Sequence, residues 1–262
     1  MTPAGAACGR RRPFFLAMRI SRERFRYLLP ASRTTWFLAA ALLLAAVAAV
    51  PLLAGPGLLN TRGGGDSPFL LQRLQQLAAA LRDGHFPVRW MPDANYGYGY
   101  PFYNFYAPLS IYITAVFRLV GFSLVTSIQL SQLAGFLVAA WGMFRLGRRW
   151  WGSDAAGLLA SVAYTAAPFH LVNVYVRGDS LAEFWAMAWY PWVILAAEAV
   201  VSRPYSVFGV QYSAGARRQV ALLALAYAAL ILSHNISALI FSPFLLLYVL
   251  LCVFRNPKSV DR

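Results

Sequence analysis

Seven apolar runs, most of them close to 20 residues long and nearly free of charge, dominate the sequence. They cover 34 to 59, 104 to 122, 126 to 144, 155 to 176, 182 to 202, 219 to 233 and 236 to 254. A helix needs about 20 such residues to cross a hydrocarbon core of about 30 Å. The chain therefore reads as an all-α, polytopic transmembrane protein. With 60% hydrophobic and 12% charged residues it is not an ordinary soluble domain. No polar block between the runs is large enough to fold alone, so the 262 residues make one membrane domain with a tail.

Charge decides how many runs cross. Residues 1–33 carry eight Arg against one acid, Glu23, and lead directly into the first run, Thr34 to Leu59. A basic tail in that position reads as cytoplasmic anchoring to anionic lipid, and no nucleic-acid partner is expected despite the net charge of +14. The first run exceeds the roughly 7 to 15 residues of a signal core, which makes it an uncleaved signal anchor. If all seven runs crossed, Arg145, Arg148 and Arg149, then Arg203, Arg217 and Arg218, then Arg255, Lys258 and Arg262 would all face away from the cytoplasm. Short cytoplasmic loops carry the excess of Lys and Arg. Leaving 104 to 122 as a re-entrant or interfacial helix puts 17 basic residues inside and six outside. Asn104, Pro108 and Arg118 within that run agree. The expectation is six spans in the plasma (inner) membrane with a cytoplasmic N-terminus. A tail covers 1–33, the membrane domain 34–254 holds an extracytoplasmic loop at about 60–125, and 255–262 form a cytoplasmic end.

That topology gathers the polar residues on one face. Asp66, Ser67 and Pro68 follow three glycines and open an amphipathic helix in which Leu70, Leu71, Leu74, Leu77 and Leu81 recur at helical spacing, expected to lie on the membrane surface. Asp66 reads either as a capping carboxylate or as a general base or metal ligand beside the first span. The metal, if any, would be divalent. Nine aromatics in residues 86 to 106 alternate with Gly, Pro and Asn. Interfacial anchoring accounts for much of this. The sharper reading is a platform on which sugar rings stack, with Tyr98 and Tyr100 in it and Arg89 and Asp93 supplying polar contacts.

The second outer turn holds Arg177, Asp179, Ser180 and Glu183. Ser180 and Glu183 have the spacing of a capping box, which makes Glu183 structural. Arg177 can hold a phosphate in bidentate fashion, and Asp179 can position a metal or an acceptor. The third turn holds Ser233, His234 and Asn235, read either as hydrated helix-end residues or as polar groups of a site. His170 reads as a packed or interfacial histidine. Neither Cys8 nor Cys252 belongs to a disulfide framework or CxxC pair, and no Walker loop, HExxH or GxSxG sequence is present.

The stretches HFPVRWMPDANYGYGYPFYNFY (85–106), VRGDSLAE (176–183) and SHN (233–235), behind a first span and Gly-Asp-x-Pro, resemble the bacterial membrane family named 6-pyruvoyl-tetrahydropterin synthase-related. That family in turn resembles the GT-C glycosyltransferases of polyprenyl-phosphate sugars. Pterin synthesis itself is not implied, because His85, His170 and His234 are far apart and form no HxH pair. The likeness implies that Asp66 acts as base on an acceptor hydroxyl and Arg177 holds the donor phosphate, with Asp179, His234 and Asn235 lining the site. It further implies a cell-envelope enzyme whose partners are membrane lipid and a polyprenyl-phosphate-linked sugar. GT-C proteins usually have more spans, so the expectation is either a glycosyltransferase or an N-terminal part or truncated frame of one. The competing class is a non-enzymatic membrane protein, a lipid-linked glycan transporter or an envelope-assembly scaffold.

Overall fold

The computed structural model describes residues 32–58, 67–177, 180–202 and 214–255. Asp66 and Asp179 lie outside the described residues, as do residues 1–31 of the basic tail and 256–262 of the C-terminal end. Among the described residues ten α-helices follow one another: α1 (Arg33–Ala54), α2 (Ser67–Arg82), α3 (Phe102–Phe105), α4 (Leu109–Val120), α5 (Leu124–Trp151), α6 (Asp154–Thr165), α7 (Pro168–Tyr175), α8 (Leu181–Val201), α9 (Ala214–Ser233) and α10 (Asn235–Arg255). Among the described residues the one β feature is an isolated antiparallel pairing of Met91 with Tyr100. The expected all-α class is what the chain adopts.

Five of these helices, α1, α5, α8, α9 and α10, are long and apolar enough to cross a membrane, and α6 with α7 makes a sixth crossing if that bent pair is one span. The chain is a multi-pass membrane protein. The run 155 to 176, read as one stretch, is in fact broken by a bend of 45°. Pro168 causes it: the residue before a proline is pushed out of the helical region, Ala167 is extended at ψ 136°, and Pro168 starts α7 at its first turn. The first span is also shorter than expected, ending at Ala54 instead of Leu59. Beyond it the Gln129 side chain donates to the carbonyls of Gly55 and Gly57 at 3.3 and 3.2 Å, which ties this end of α1 to α5.

The run at 104 to 122 forms no helix long enough to cross a membrane. Its helix, α4, has 12 residues and is about 18 Å long at 1.5 Å per residue, short of a hydrocarbon core of about 30 Å. A polar seam docks it on the bundle. The Thr114 hydroxyl donates to the Ser131 oxygen of α5 at 2.8 Å, and the Trp185 indole of α8 donates to the same oxygen at 3.1 Å. Hydrogen bonds of this kind hold helices together where lipid offers no hydrophobic drive between them.

Helix α2 corrects an expectation. Its apolar stripe does exist, but Leu70, Leu74 and Leu77 are at most 1% exposed. They are packed inside the protein against α4 and α5, not turned to the membrane surface. The aromatic segment after it clamps it down: Tyr103 donates to the Arg73 carbonyl at 2.8 Å, and the Gln76 side chain accepts the Asp93 backbone N–H at 2.9 Å.

At the centre stand α5 and α8. About half of each span is buried, against 6% for α9 and 11% for α10. Small residues on α5 permit the approach: a Cβ at Gly135 would overlap the Phe184 ring of α8, and Gly147 faces Gly157 of α6. Alternating helix directions put the start of α5, the end of α7, the start of α8 and the α9–α10 turn at one end of the bundle. At the other end Glu198 receives the Trp150 indole N–H at 2.6 Å and bonds from Arg149 and Tyr248, while Arg148 pairs with Asp154 at 2.7 Å. The Arg cluster of α5 therefore sits away from the three polar turns.

Candidate functional site

The first-mentioned end contains a cavity of about 120 Å³. Its walls come from segments far apart in sequence: Arg73 of α2, Phe102 of α3, Ser110 of α4, Arg177 after α7, Glu183 of α8 and His234 between α9 and α10. Two of the expected binding residues, Arg177 and His234, are thus brought together. Local folding explains how. Arg177 follows the last turn of the short helix that Pro168 starts, and its backbone N–H still reaches the Val172 carbonyl at 2.9 Å. His234 is the single residue between two spans, and its N–H closes on the Leu230 carbonyl at 3.0 Å.

Arg177 does not present a bare cation. One of its terminal nitrogens donates to Asn173 Oδ1 at 3.0 Å and to Glu183 Oε2 at 2.5 Å. Glu183 also takes the Ser180 hydroxyl at 3.4 Å. The capping-box reading of Glu183 is therefore overturned. Ser180 is the N-cap residue but makes no side-chain cap hydrogen bond, and the Glu183 carboxylate turns to Arg177 instead. The side chains of the pair are 41% and 20% exposed, so this ion pair contributes stability near the roughly 0–1 kcal/mol of a surface pair.

His234 is fixed by its own helix start. Its Nδ1 accepts the Ser237 backbone N–H at 3.2 Å and lies 2.7 Å from the Ser237 hydroxyl oxygen. The neutral tautomer assigned from these bonds carries its proton on Nε2. Burial pushes the imidazole below its ordinary pKa of 6.5, with Glu183 raising it and Arg177 lowering it further. Around neutral pH the ring is an uncharged donor.

Arg73 holds the other cationic position. Its guanidinium lies 4.3 Å from the Phe102 ring centre and 5.3 Å from that of Tyr106, a cation–π stack. Burial raises the Tyr103 hydroxyl well above its usual pKa, opposed by nearby Arg73. Ser110 is fully buried, and its hydroxyl has no hydrogen-bond partner among the described residues.

The remaining expected residues that are described, Arg89, Asp93, Tyr98, Tyr100 and Asn235, do not line this cavity. Arg89 is exposed and donates to Asn104 Oδ1 at 3.2 Å. Asp93 is exposed and anchors the loop to α2 through its backbone. Tyr98 is 83% exposed on a finger closed by paired hydrogen bonds between Met91 and Tyr100 at 2.9 Å. Positive φ at Gly99, +80°, lets the chain turn there, and the Trp90 indole fills the space a Cβ would need. Tyr100 reaches the cavity only through its neighbour Phe102, with ring centres 6.3 Å apart. Asn235 is exposed and its side chain accepts the N–H of Ile236. His170 is packed as expected, 2% exposed among the rings of Phe136, Tyr164 and Phe184.

Sequence reasoning missed Arg73, Ser110 and Glu183 as cavity residues. A signal existed for Glu183, the one acid in the first turn of an apolar span six residues after a basic one. Arg73 looked like the polar face of an amphipathic helix. Ser110, inside an apolar run, gave no signal. Among the described residues no cluster of His, Cys, Asp or Glu forms a metal ligand set.

No known family profile and no solved structure matches the chain. A protein of Lactococcus lactis subsp. cremoris (strain MG1363), itself described only as an uncharacterized protein, is 27% identical over 205 residues. The match takes in 75% of this chain and 31% of that relative's length.

Proposed function

We propose that this chain belongs to an integral membrane glycosyltransferase of the GT-C kind, one that takes a sugar from a polyprenyl-phosphate donor at the cavity end of the bundle. In this reading the cavity end is extracytoplasmic in the plasma membrane and the N-terminus is cytoplasmic, because the Arg145, Arg148 and Arg149 cluster belongs to the opposite end. The supporting observation is the meeting of Arg73, Arg177 and His234 in one cavity beside the spans. Lipid-linked donors present their phosphate at the headgroup level, where spans end. Asp66 immediately precedes α2, the helix that carries Arg73, and is assigned the role of general base on the acceptor hydroxyl.

The test is transfer. Membranes containing the full-length protein, and membranes lacking it, are supplied with a panel of labelled polyprenyl-phosphate sugars, and label is followed into acceptor. Protein-dependent transfer from one donor supports the reading. Protein-dependent movement of the intact donor across the bilayer without bond cleavage replaces it with a lipid-linked glycan transporter, and neither event leaves an envelope-assembly scaffold.

A further inference from the structure

The charge around the cavity is not shared evenly between its two arginines. Arg177 is already neutralised, since Glu183 pairs with it at 2.5 Å and Asn173 holds the same nitrogen at 3.0 Å. Arg73 meets no carboxylate among the described residues, and its partners are the faces of Phe102 and Tyr106. A guanidinium held by its plane keeps its N–H edge available, and that edge is the part that recognises phosphate. Ser110 of α4 lines the same cavity; it is 0% exposed, and its hydroxyl has no partner among the described residues. Leaving a buried hydroxyl unbonded costs about 1–3 kcal/mol, so a cavity wall that retains one points to a ligand that satisfies it. His234 adds a neutral donor from the facing turn.

We propose that Arg73, with the Ser110 hydroxyl and the His234 ring, forms the anion subsite of this cavity, and that it takes one monoanionic phosphoryl group, a phosphodiester. Arg177 is a wall of that subsite, positioned by Glu183, and not its cation. The inference rests on the lipid-phosphate reading above and moves the phosphate contact away from the residue that sequence reasoning had chosen. Charge sets the class. Among the described lining residues Arg177 and Glu183 cancel and His234 is neutral, so Arg73 leaves an excess of one positive charge, matched by a phosphodiester and exceeded by a diphosphate. Size agrees. An apolar cavity of about 150 Å³ accepts benzene, so about 120 Å³ accommodates a phosphoryl group but not a hexose ring with its hydroxyls. The sugar would therefore lie outside the cavity mouth.

Binding tests this without turnover. The full-length protein, in detergent micelles, is titrated with three labelled probes: inorganic phosphate, farnesyl phosphoryl glucose as a lipid phosphodiester, and farnesyl diphosphate. The phosphodiester should bind most tightly. Tighter inorganic phosphate would reassign the site to a free anion, and tighter diphosphate would overturn the charge argument. Arg73→Gln should weaken the phosphodiester at least about tenfold, the scale of a lost hydrogen bond to a charged group, and Ser110→Ala should weaken it severalfold. Arg118→Gln, outside the cavity, should leave it unchanged. Each variant's thermal unfolding is recorded alongside, and Ser110→Ala keeps the test open if Arg73→Gln does not fold. Unchanged affinity in both Arg73→Gln and Ser110→Ala, or loss in Arg177→Gln with Arg73→Gln unaffected, overturns the assignment. Phosphodiester binding without sugar transfer would sink the transferase reading and leave the subsite. Sugar transfer with normal KM in Arg73→Gln would do the reverse.

Discussion

Replacing Gly157 by Ala probes the crossing of α5 and α6, on which the position of α7 and Arg177 depends. A Cβ at Gly157 would sit 2.8 Å from the Phe144 carbonyl oxygen, 3.1 Å from the Phe144 ring and 3.2 Å from the Arg148 Cβ, where ordinary contact begins near 3.4 Å. The nearest of these atoms is backbone, and Phe144 is 2% exposed, so neither turns aside. α6 must instead move off α5 by about half an ångström. Overpacking of this kind costs about 1–3 kcal/mol. The better helix propensity of Ala over Gly offsets up to about 1 kcal/mol, and the added methyl gains little because lipid tails are as apolar as the protein. The expected net loss is about 1–2 kcal/mol. Gly147→Ala, with its Cβ 2.6 Å from that of Ala160 across the same crossing, should lose a similar amount. Since either substitution opens the same gap, the double variant should lose less than the sum, by about 0.5 kcal/mol or more. Gly152→Ala is the control: φ +64° in open space gives about 1–2 kcal/mol of left-handed strain, additive with either. Reversible unfolding in mixed micelles titrated with dodecyl sulfate, followed by far-ultraviolet circular dichroism, measures all four. A Gly157→Ala variant within about 0.5 kcal/mol of wild type, or an additive double variant, would refute the close crossing.

Three further outcomes follow from the same geometry. Glu198 accepts from Arg149, Trp150 and Tyr248, so Glu198→Gln should lose about 1.5–3 kcal/mol in that titration, and a neutral result would mean that this knot does not clamp α5, α8 and α10. Because the folded state keeps His234 below its ordinary 6.5, the unfolded ring takes up a proton first on acidification. Its contribution is present above pH 6.5 and is lost progressively below it, and His234→Asn should flatten that fall; an unaltered pH profile contradicts the assignment. In a cysteine-free background, cysteine at Phe122 should react with an impermeant thiol reagent from outside and cysteine at Trp151 only from inside, and the reverse pattern would restore a seventh crossing.

How far the sequence carried depended on the kind of signal. The all-α, multi-span class was legible because apolar runs of spanning length announce themselves in the sequence, and five such helices stand among the described residues, six if α6 with α7 is one span. The amphipathic period of α2 was legible too, but periodicity records which face is apolar and not what covers it; only the folded chain shows Leu70 and Leu74 against protein. Pro168 was a visible break that the apolarity of the run concealed. The cavity was half legible. Arg177 and His234 stood out as polar residues at the ends of spans, whereas the Arg177–Glu183 pairing depends on a side-chain direction that spacing does not fix. The roles of Arg73 and Ser110 depend on contacts between helices, which no local pattern encodes.

The proposed transferase cleaves a lipid-linked sugar at this end of the bundle with Asp66 as base. Asp66→Asn in the full-length protein, with membrane insertion verified by protease protection, tests it most directly. General-base assistance is worth about 10²- to 10⁴-fold, so transfer from the preferred polyprenyl-phosphate sugar should fall by at least about 10² while the variant still inserts. Unchanged turnover in an inserted Asp66→Asn protein would contradict the claim.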